Sequence, residues 1–287
     1  MPPTQIGRSS STAWFYDSTT GVFDLTRNDD KSFSEDILRL KTTTHPIDID
    51  PGKTALIIID MQNFFLSPDL GRPVDGPAMD VAKSLQDGIP LAREKGIRIV
   101  WANWGLTDED LNTMPPATVK AFQVLENDSA APHKKKKNPA LYRGLGSDLG
   151  QIELANGTTV DAGELLMRGT WNTELYGPLA DEYRHGRERA NRPDVWVSKN
   201  RMSGLWSENT FLQQFLEKEG ITTLLFSGVN TDQCVGGTLI DAFSKGYDCV
   251  LLKDAVATTS PQFATDSWEW NCSNTYGFVS SLDALRG

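Results

Sequence analysis

Asp60, Lys199 and Cys234 are the residues in this chain whose types and positions could together do covalent chemistry. Asp60 ends the apolar run Ala-Leu-Ile-Ile-Ile, and Lys199 ends Val-Trp-Val-Ser, so each is delivered to the end of a buried strand. Cys234 follows Ser227-Gly-Val-Asn-Thr-Asp-Gln, where a strand turns through a polar loop into the start of a helix. A thiol there meets the positive end of the helix dipole and backbone N–H groups without intrahelical partners. Both favour a thiolate, and the N–H groups of Asn230 and Cys234 are placed to hold an oxyanion. The chemistry this suggests begins with Asp60 taking the thiol proton while Lys199 stabilises the charged pair and lowers the thiol pKa. The thiolate then attacks a carbonyl carbon, Asp60 returns the proton to a leaving nitrogen, and water hydrolyses the thioester. No histidine is needed.

Each residue alone has a plainer explanation: a helix cap, a surface ion pair, a small apolar plug. Their convergence on one sheet edge is what favours the nucleophile. Cys249, inside an apolar strand, and Cys272, near a helix end, read as structural.

The elements that must position these groups are legible as apolar runs at 54–60, 97–104, 195–199, 223–228 and 248–254, with a weaker one at 278–280. Each reads as a strand buried on both faces. Helical patterns at 78–95, 207–219, 232–245 and 261–272 lie between them, several ending in a glycine stop such as Lys95-Gly96 or Glu219-Gly220. Strand and helix in alternation imply a three-layer α/β/α fold around a central six-stranded, mostly parallel sheet. Ligands bind such sheets beyond the carboxyl ends of the strands, the edge to which Asp60 and Lys199 are sent. Residues 1–50, with Trp14, Phe15, Tyr16 and Phe23, read as an arm or small hairpin before the domain at 51–287. Residues 105–190 form a long insertion expected to lie over the site, with a possible hairpin or short helix at 151–163. Its run Lys134 to Lys137 reads as a solvated loop, since no aromatic residues interleave it.

Composition narrows the partners. In 287 residues, 39% hydrophobic and 23% charged, there is material for a sizeable core. A formal net charge of −10 repels polyanions, which argues against nucleic acid and anionic membrane. With no secretory or membrane-spanning run evident, the expectation is a cytoplasmic protein acting on a small molecule. Three cysteines and three histidines, without CxxC, HxH or HExxH spacing, imply no disulfide framework, metal or cofactor. Gln62, Asn103, Trp104 and Arg201 lie near the same rim and suit contact with a planar ureido or carbamoyl group, Arg201 through its fork of donors. Phe65 and Trp206 are candidates for apolar walls.

The motifs Ile-Ile-Ile-Asp60-Met-Gln-Asn-Phe-Phe, Val-Ser-Lys199-Asn-Arg-Met-Ser-Gly and Ser-Gly-Val-Asn-Thr-Asp-Gln-Cys234-Val, followed by Thr238, Asp241 and Ala242, resemble those of the isochorismatase-like cysteine hydrolases. The likeness runs from about residue 54 to the C-terminus. It implies an Asp, Lys, Cys triad at positions 60, 199 and 234, a cis peptide between Val229 and Asn230 that turns N–H groups into the oxyanion hole, and a homo-oligomer, dimer or tetramer. Nicotinamidases and pyrazinamidases of this family carry a metal-binding Asp and His cluster where this chain has Trp101-Ala-Asn-Trp-Gly-Leu. Ile99-Val100-Trp101 with the nearby Asn and Gly, Arg168-Gly-Thr-Trp-Asn172, Lys199-Asn-Arg-Met-Ser-Gly204 and Tyr276-Gly-Phe-Val-Ser280 are most similar to the ureidoacrylate amidohydrolase branch. True isochorismatases hydrolyse a vinyl ether and commonly lack the cysteine, so within this resemblance Cys234 favours cleavage of a C–N bond without excluding the other reaction. A vinyl-ether hydrolase and a catalytically silent binding protein of the same fold are the alternatives.

Overall fold

In the computed structural model, residues 2–9, 12–27, 37–123 and 141–287 are described; the lysine run and His133 lie outside them. The strands before the main domain are β1 (Thr4–Ile6), β2 (Trp14–Asp17), β3 (Val22–Asp24), β4 (Leu38–Leu40) and β5 (Ile47–Ile49). They make a five-stranded sheet in the order β1-β2-β3-β5-β4. Instead of standing off as an arm, this sheet is anchored on the chain's own core. Leu25, Leu40, Ile47 and Ile49 are fully buried there, the Trp14 and Phe23 rings pack at a tilt against Phe278, and the Trp14 indole donates to Asp248 at 2.7 Å. The Arg27 guanidinium pairs with the same carboxylate, which burial nevertheless holds above the ordinary carboxylate pKa.

The central sheet contains β6 (Thr54–Ile59), β7 (Arg98–Trp104) and, after a hairpin of β8 (Gln151–Glu153) with β9 (Thr159–Asp161), β10 (Val195–Lys199), β11 (Thr223–Val229), β12 (Asp248–Ala257) and β13 (Phe278–Ser280). Its six strands, in the order β10-β7-β6-β11-β12-β13, are all parallel. Alternate residues feed two cores. Ile57, Ile59, Val100, Ala102 and Phe226 face one layer, and Leu56, Ile58, Ile99, Trp101 and Leu225 face the other. This explains why the strands read as continuous apolar runs.

The helices are α1 (Asn63–Leu66), α2 (Pro77–Glu94), α3 (Asp108–Asn112), α4 (Pro116–Ala121), α5 (Pro178–Arg187), α6 (Phe211–Lys218), α7 (Gly236–Ser244) and α8 (Gln262–Asn271). α6 begins later than its pattern suggests because Thr210 caps it, accepting from the Gln213 N–H. α2 and α5 cover one face, with α6 and α7 on the other. From β6 the chain winds to β7 and β10 on one side, then returns across to β11, β12 and β13 on the other. The reversal falls between β6 and β11, where a doubly wound sheet opens its crevice. Among the described residues no helix is long and apolar enough to cross a membrane.

Gly228 lets the two strands flanking that crevice approach. Its φ is +106°, and a Cβ there would lie 2.0 Å from the Ile59 carbonyl oxygen, a rigid backbone atom. Gly228→Ala is expected to cost about 3 kcal/mol or more. A urea midpoint equal to wild type would refute this.

Candidate active site

Asp60 is the residue after β6, and its φ of 54° places it in the left-handed region that carboxamide and carboxylate residues tolerate better than most. Simple alternation after Ile58 would send its side chain toward α2. The left-handed turn instead brings the carboxylate to Lys199, at the end of β10 on the opposite face. Lys199 Nζ is 3.0 Å from Asp60 Oδ2, donates to the Arg201 carbonyl at 3.2 Å and lies 3.9 Å from the centre of the Trp104 ring. Asp60 Oδ1 accepts the Trp104 backbone N–H at 3.1 Å. Lys199 is 3% exposed and Asp60 fully buried. Burial pushes the Asp60 carboxyl above the ordinary carboxylate range, against the lowering effect of Lys199 and the weaker ones of Cys234 and the Trp104 N–H.

Cys234, 4% exposed, lies in the π-helical turn Thr231–Val235 that leads from β11 into α7. The Val229–Asn230 peptide is cis. The Asn230 carbonyl is turned into the turn, accepting from the N–H groups of Gln233 and Val235 at 3.0 and 3.2 Å. Thr238 Oγ1 donates to the Cys234 carbonyl at 2.7 Å and accepts the Gly204 N–H at 3.1 Å, tying this turn to the loop after β10. Asp232 is turned away, accepting from Thr258 Oγ1 and Ser260 Oγ. The Cys234 sulfur is 3.5 Å from Met202 Sδ and beside the Asp60 carboxylate, a far stronger proton acceptor than a thioether.

The thiol's electrostatics differ from the sequence expectation of a lowered pKa. Burial first, then the Asp60 charge, pushes it up to about 12, with Lys199 opposing. The pull of the helix start on a thiolate is outweighed by how completely the thiol is removed from water. A neutral thiol facing a carboxylate of raised pKa is a poised donor and acceptor.

The expected substrate contacts are not all on offer. Gln62 is spent on backbone: its Oε1 accepts the Trp104 N–H at 3.0 Å, and Nε2 donates to the Trp104 and Thr173 carbonyls, each at 2.8 Å. Arg201 donates to the Asn200 and Thr113 carbonyls at 2.7 and 2.9 Å and stacks on Trp206, so its fork ties the loop after β10 to the insertion. Asn103 alternates with Trp104 along β7 and so faces the opposite layer, beside Trp101, where it is buried without a hydrogen-bond partner among the described residues. Of the four side chains, only that of Trp104 meets Asp60, Lys199 or Cys234 directly; Arg201 meets Lys199 through its backbone carbonyl. Phe65 is half-buried against Phe64, and Trp206 is largely exposed.

The insertion does cover this face. Met114, Phe122, Leu165, Leu166 and Met167 join the core cluster that holds Trp104 and Cys234, and residues 151–161 form a hairpin. An open groove of about 320 Å³ runs along β10 between Val197 and Phe211; of Asp60, Lys199 and Cys234 it reaches only Lys199. Among the described residues, no three His, Cys, Asp or Glu side chains gather as a metal site. Gln62→Leu, which takes the buried amide donor from the Trp104 and Thr173 carbonyls and leaves the Trp104 N–H to Asp60 alone, is expected to cost about 2 kcal/mol or more while leaving KM unchanged. A raised KM at unchanged stability would return Gln62 to substrate binding.

A family model described as an isochorismatase domain matches residues 158–275, a span that includes Lys199 and Cys234. Solved structures share the fold at low identity. A cysteine hydrolase from Pseudomonas syringae is 18% identical with a TM-score of 0.57, the match covering 88% of this chain and 97% of that one. A pyrazinamidase/nicotinamidase from Streptococcus mutans is 24% identical with a TM-score of 0.54, covering 79% and 99%. N-carbamoylsarcosine amidase from Thermoplasma acidophilum is 20% identical with a TM-score of 0.50, covering 82% and 99%.

Proposed function

We propose, from the premise that this chain is isochorismatase-like in its family-model match and its fold, that it is a cysteine amidohydrolase cleaving a C–N bond in a small amide, ureide or carbamoyl compound. The observation that carries the reading is the buried meeting of Asp60, Lys199 and Cys234 at the sheet's point of reversal. Amide chemistry is also what the names of two matched structures describe, a nicotinamidase and a carbamoylsarcosine amidase.

In this reading Asp60 accepts the Cys234 proton as sulfur bonds to the carbonyl carbon. Burial raises both pKa values, and an Asp60 raised toward the thiol is a better match as its base. The developing oxyanion takes hydrogen bonds from the Asn230 and Cys234 N–H groups, and Lys199 balances the charge that remains on the sulfur and carboxylate pair. Protonated Asp60 gives its proton to the leaving nitrogen as the C–N bond breaks. Water then attacks the thioester, losing a proton to Asp60, and the thiol is restored.

Within this class the motifs at 99–101, 168–172 and 276–280 favour ureides of the ureidoacrylate type. With Arg201 already engaged, a substrate carboxylate would need another partner.

The test is ammonia release from a panel of ureides, carbamoyl compounds and simple amides, with isochorismate followed by its product. Release from any panel amide supports the reading and ranks substrates. Turnover of isochorismate alone would replace it with vinyl-ether hydrolysis, and silence on the whole panel would favour a binding protein.

A further inference from the structure

Trp104 touches every member of the triad. Its backbone N–H donates to Asp60 Oδ1 at 3.1 Å, and its ring lies under the Lys199 ammonium at 3.9 Å. An edge-on contact with Phe122, at 5.3 Å between centroids, holds the ring in place. Its indole Nε1 is buried and makes no hydrogen bond among the described residues. A buried indole N–H normally finds an acceptor, and leaving one without costs stability. The sulfur of Cys234 is beside it, and contact with this N–H favours the charged form of the thiol. A neutral thiol is a weak acceptor, whereas a thiolate is a strong one.

We propose that the Trp104 indole N–H is a reserved donor that hydrogen-bonds the Cys234 sulfur only once it becomes a thiolate. Trp104 is then a catalytic residue in contact with the reacting atom, beyond the three that carry the proton and the charge. The proposal rests on Cys234 being the nucleophile. The charged groups facing the sulfur are Asp60, from the end of β6, and Lys199, from the end of β10; Asp232, in the sulfur's own turn, is engaged elsewhere by Thr258 and Ser260. Asp60 raises the cost of the thiolate and Lys199 lowers it. The indole adds a neutral donor that leaves the Asp60 and Lys199 pair undisturbed.

The test is the rate at which iodoacetamide alkylates Cys234 at a fixed neutral pH, with Cys234→Ala as the blank for Cys249 and Cys272. It needs no substrate, so silence on the amide panel does not touch it. Trp104→Phe keeps a ring beneath Lys199 and the backbone N–H but loses the indole donor. Because Trp104→Phe also removes volume, a second variant carries benzothienylalanine at position 104, which keeps the indole shape and replaces N–H by sulfur. Both are expected to alkylate about tenfold more slowly at every pH across the neutral range, equivalent to about one pH unit in the thiol. Rates equal to wild type in both would overturn the proposal, as would full rescue by the isostere, which would make Trp104 a packing residue. A wild-type Cys234 no more reactive than Cys249 and Cys272 would remove the nucleophile and this donor with it.

Discussion

Cys234→Ala is expected to abolish ammonia release from every substrate the wild type accepts, by a factor on the order of 10⁴ or more. Without sulfur no thioester forms, and neither Asp60 nor Lys199 can supply a covalent path. Stability should stay within about 1 kcal/mol of wild type, because one buried atom is removed and the turn is held by Thr238 and the Asn230 carbonyl. Cys234→Ser should fail almost as completely, since a hydroxyl ionises less readily than the thiol already pushed up to about 12. The comparison with Cys249 and Cys272 is internal to the chain. Both are buried with raised pKa, and among the described residues neither thiol is hydrogen-bonded to a carboxylate as Cys234 is to Asp60, so their alanine variants should lose stability and keep turnover. Steady-state kinetics and urea midpoints on the same preparations check all four variants. More than about a hundredth of wild-type turnover in Cys234→Ala would eliminate the thioester mechanism.

Lys199→Met should be the second severe change, and its pH dependence is diagnostic. Lys199 is the largest influence lowering the Asp60 pKa, opposing the burial that raises it. With the ammonium gone, burial acts nearly alone, and Asp60 holds its proton to higher pH than in wild type. A protonated Asp60 cannot accept the thiol proton. Turnover at neutral pH should therefore drop by about 10² to 10⁴, with the acid limb of kcat/KM displaced toward higher pH. Stability follows the same carboxyl. A folded pKa above the unfolded one means the native state binds the proton more tightly, so this group's contribution is fully present below the unfolded value and is lost as pH rises through the folded one. The variant's stability deficit should accordingly grow with pH, toward about 3–5 kcal/mol where Asp60 is forced to ionise without a partner. An unshifted acid limb together with a pH-independent stability loss would mean that Lys199 only packs against Trp104.

The six strands were legible in the chain because strands buried on both faces must be apolar throughout, and such runs stand out from any surface segment; their order in the sheet came only from the fold. Asp60 and Lys199 were visible for the same reason, each a charge placed directly after a run that tolerates none. The turn into Cys234 was visible because a polar, glycine-containing stretch between strand and helix is a local pattern. These signals are short-range, carried within a few residues.

What the chain could not disclose involves partners distant in sequence. Gln62 reaches carbonyls 42 and 111 residues away, and Arg201 one 88 residues away, so their commitment to backbone appears only once the insertion has docked. The left-handed turn at Asp60 and the anchoring of the β1–β5 sheet by Trp14 on Asp248 are likewise set by packing, whereas the facing of Asn103 away from Trp104 follows from strand alternation and could have been read locally. The raised pKa of the thiol belongs here too. Residue types and a helix start argue for a thiolate, but the cost of charging a sulfur is set by how much water the whole fold excludes from it, a property that no local stretch of sequence contains.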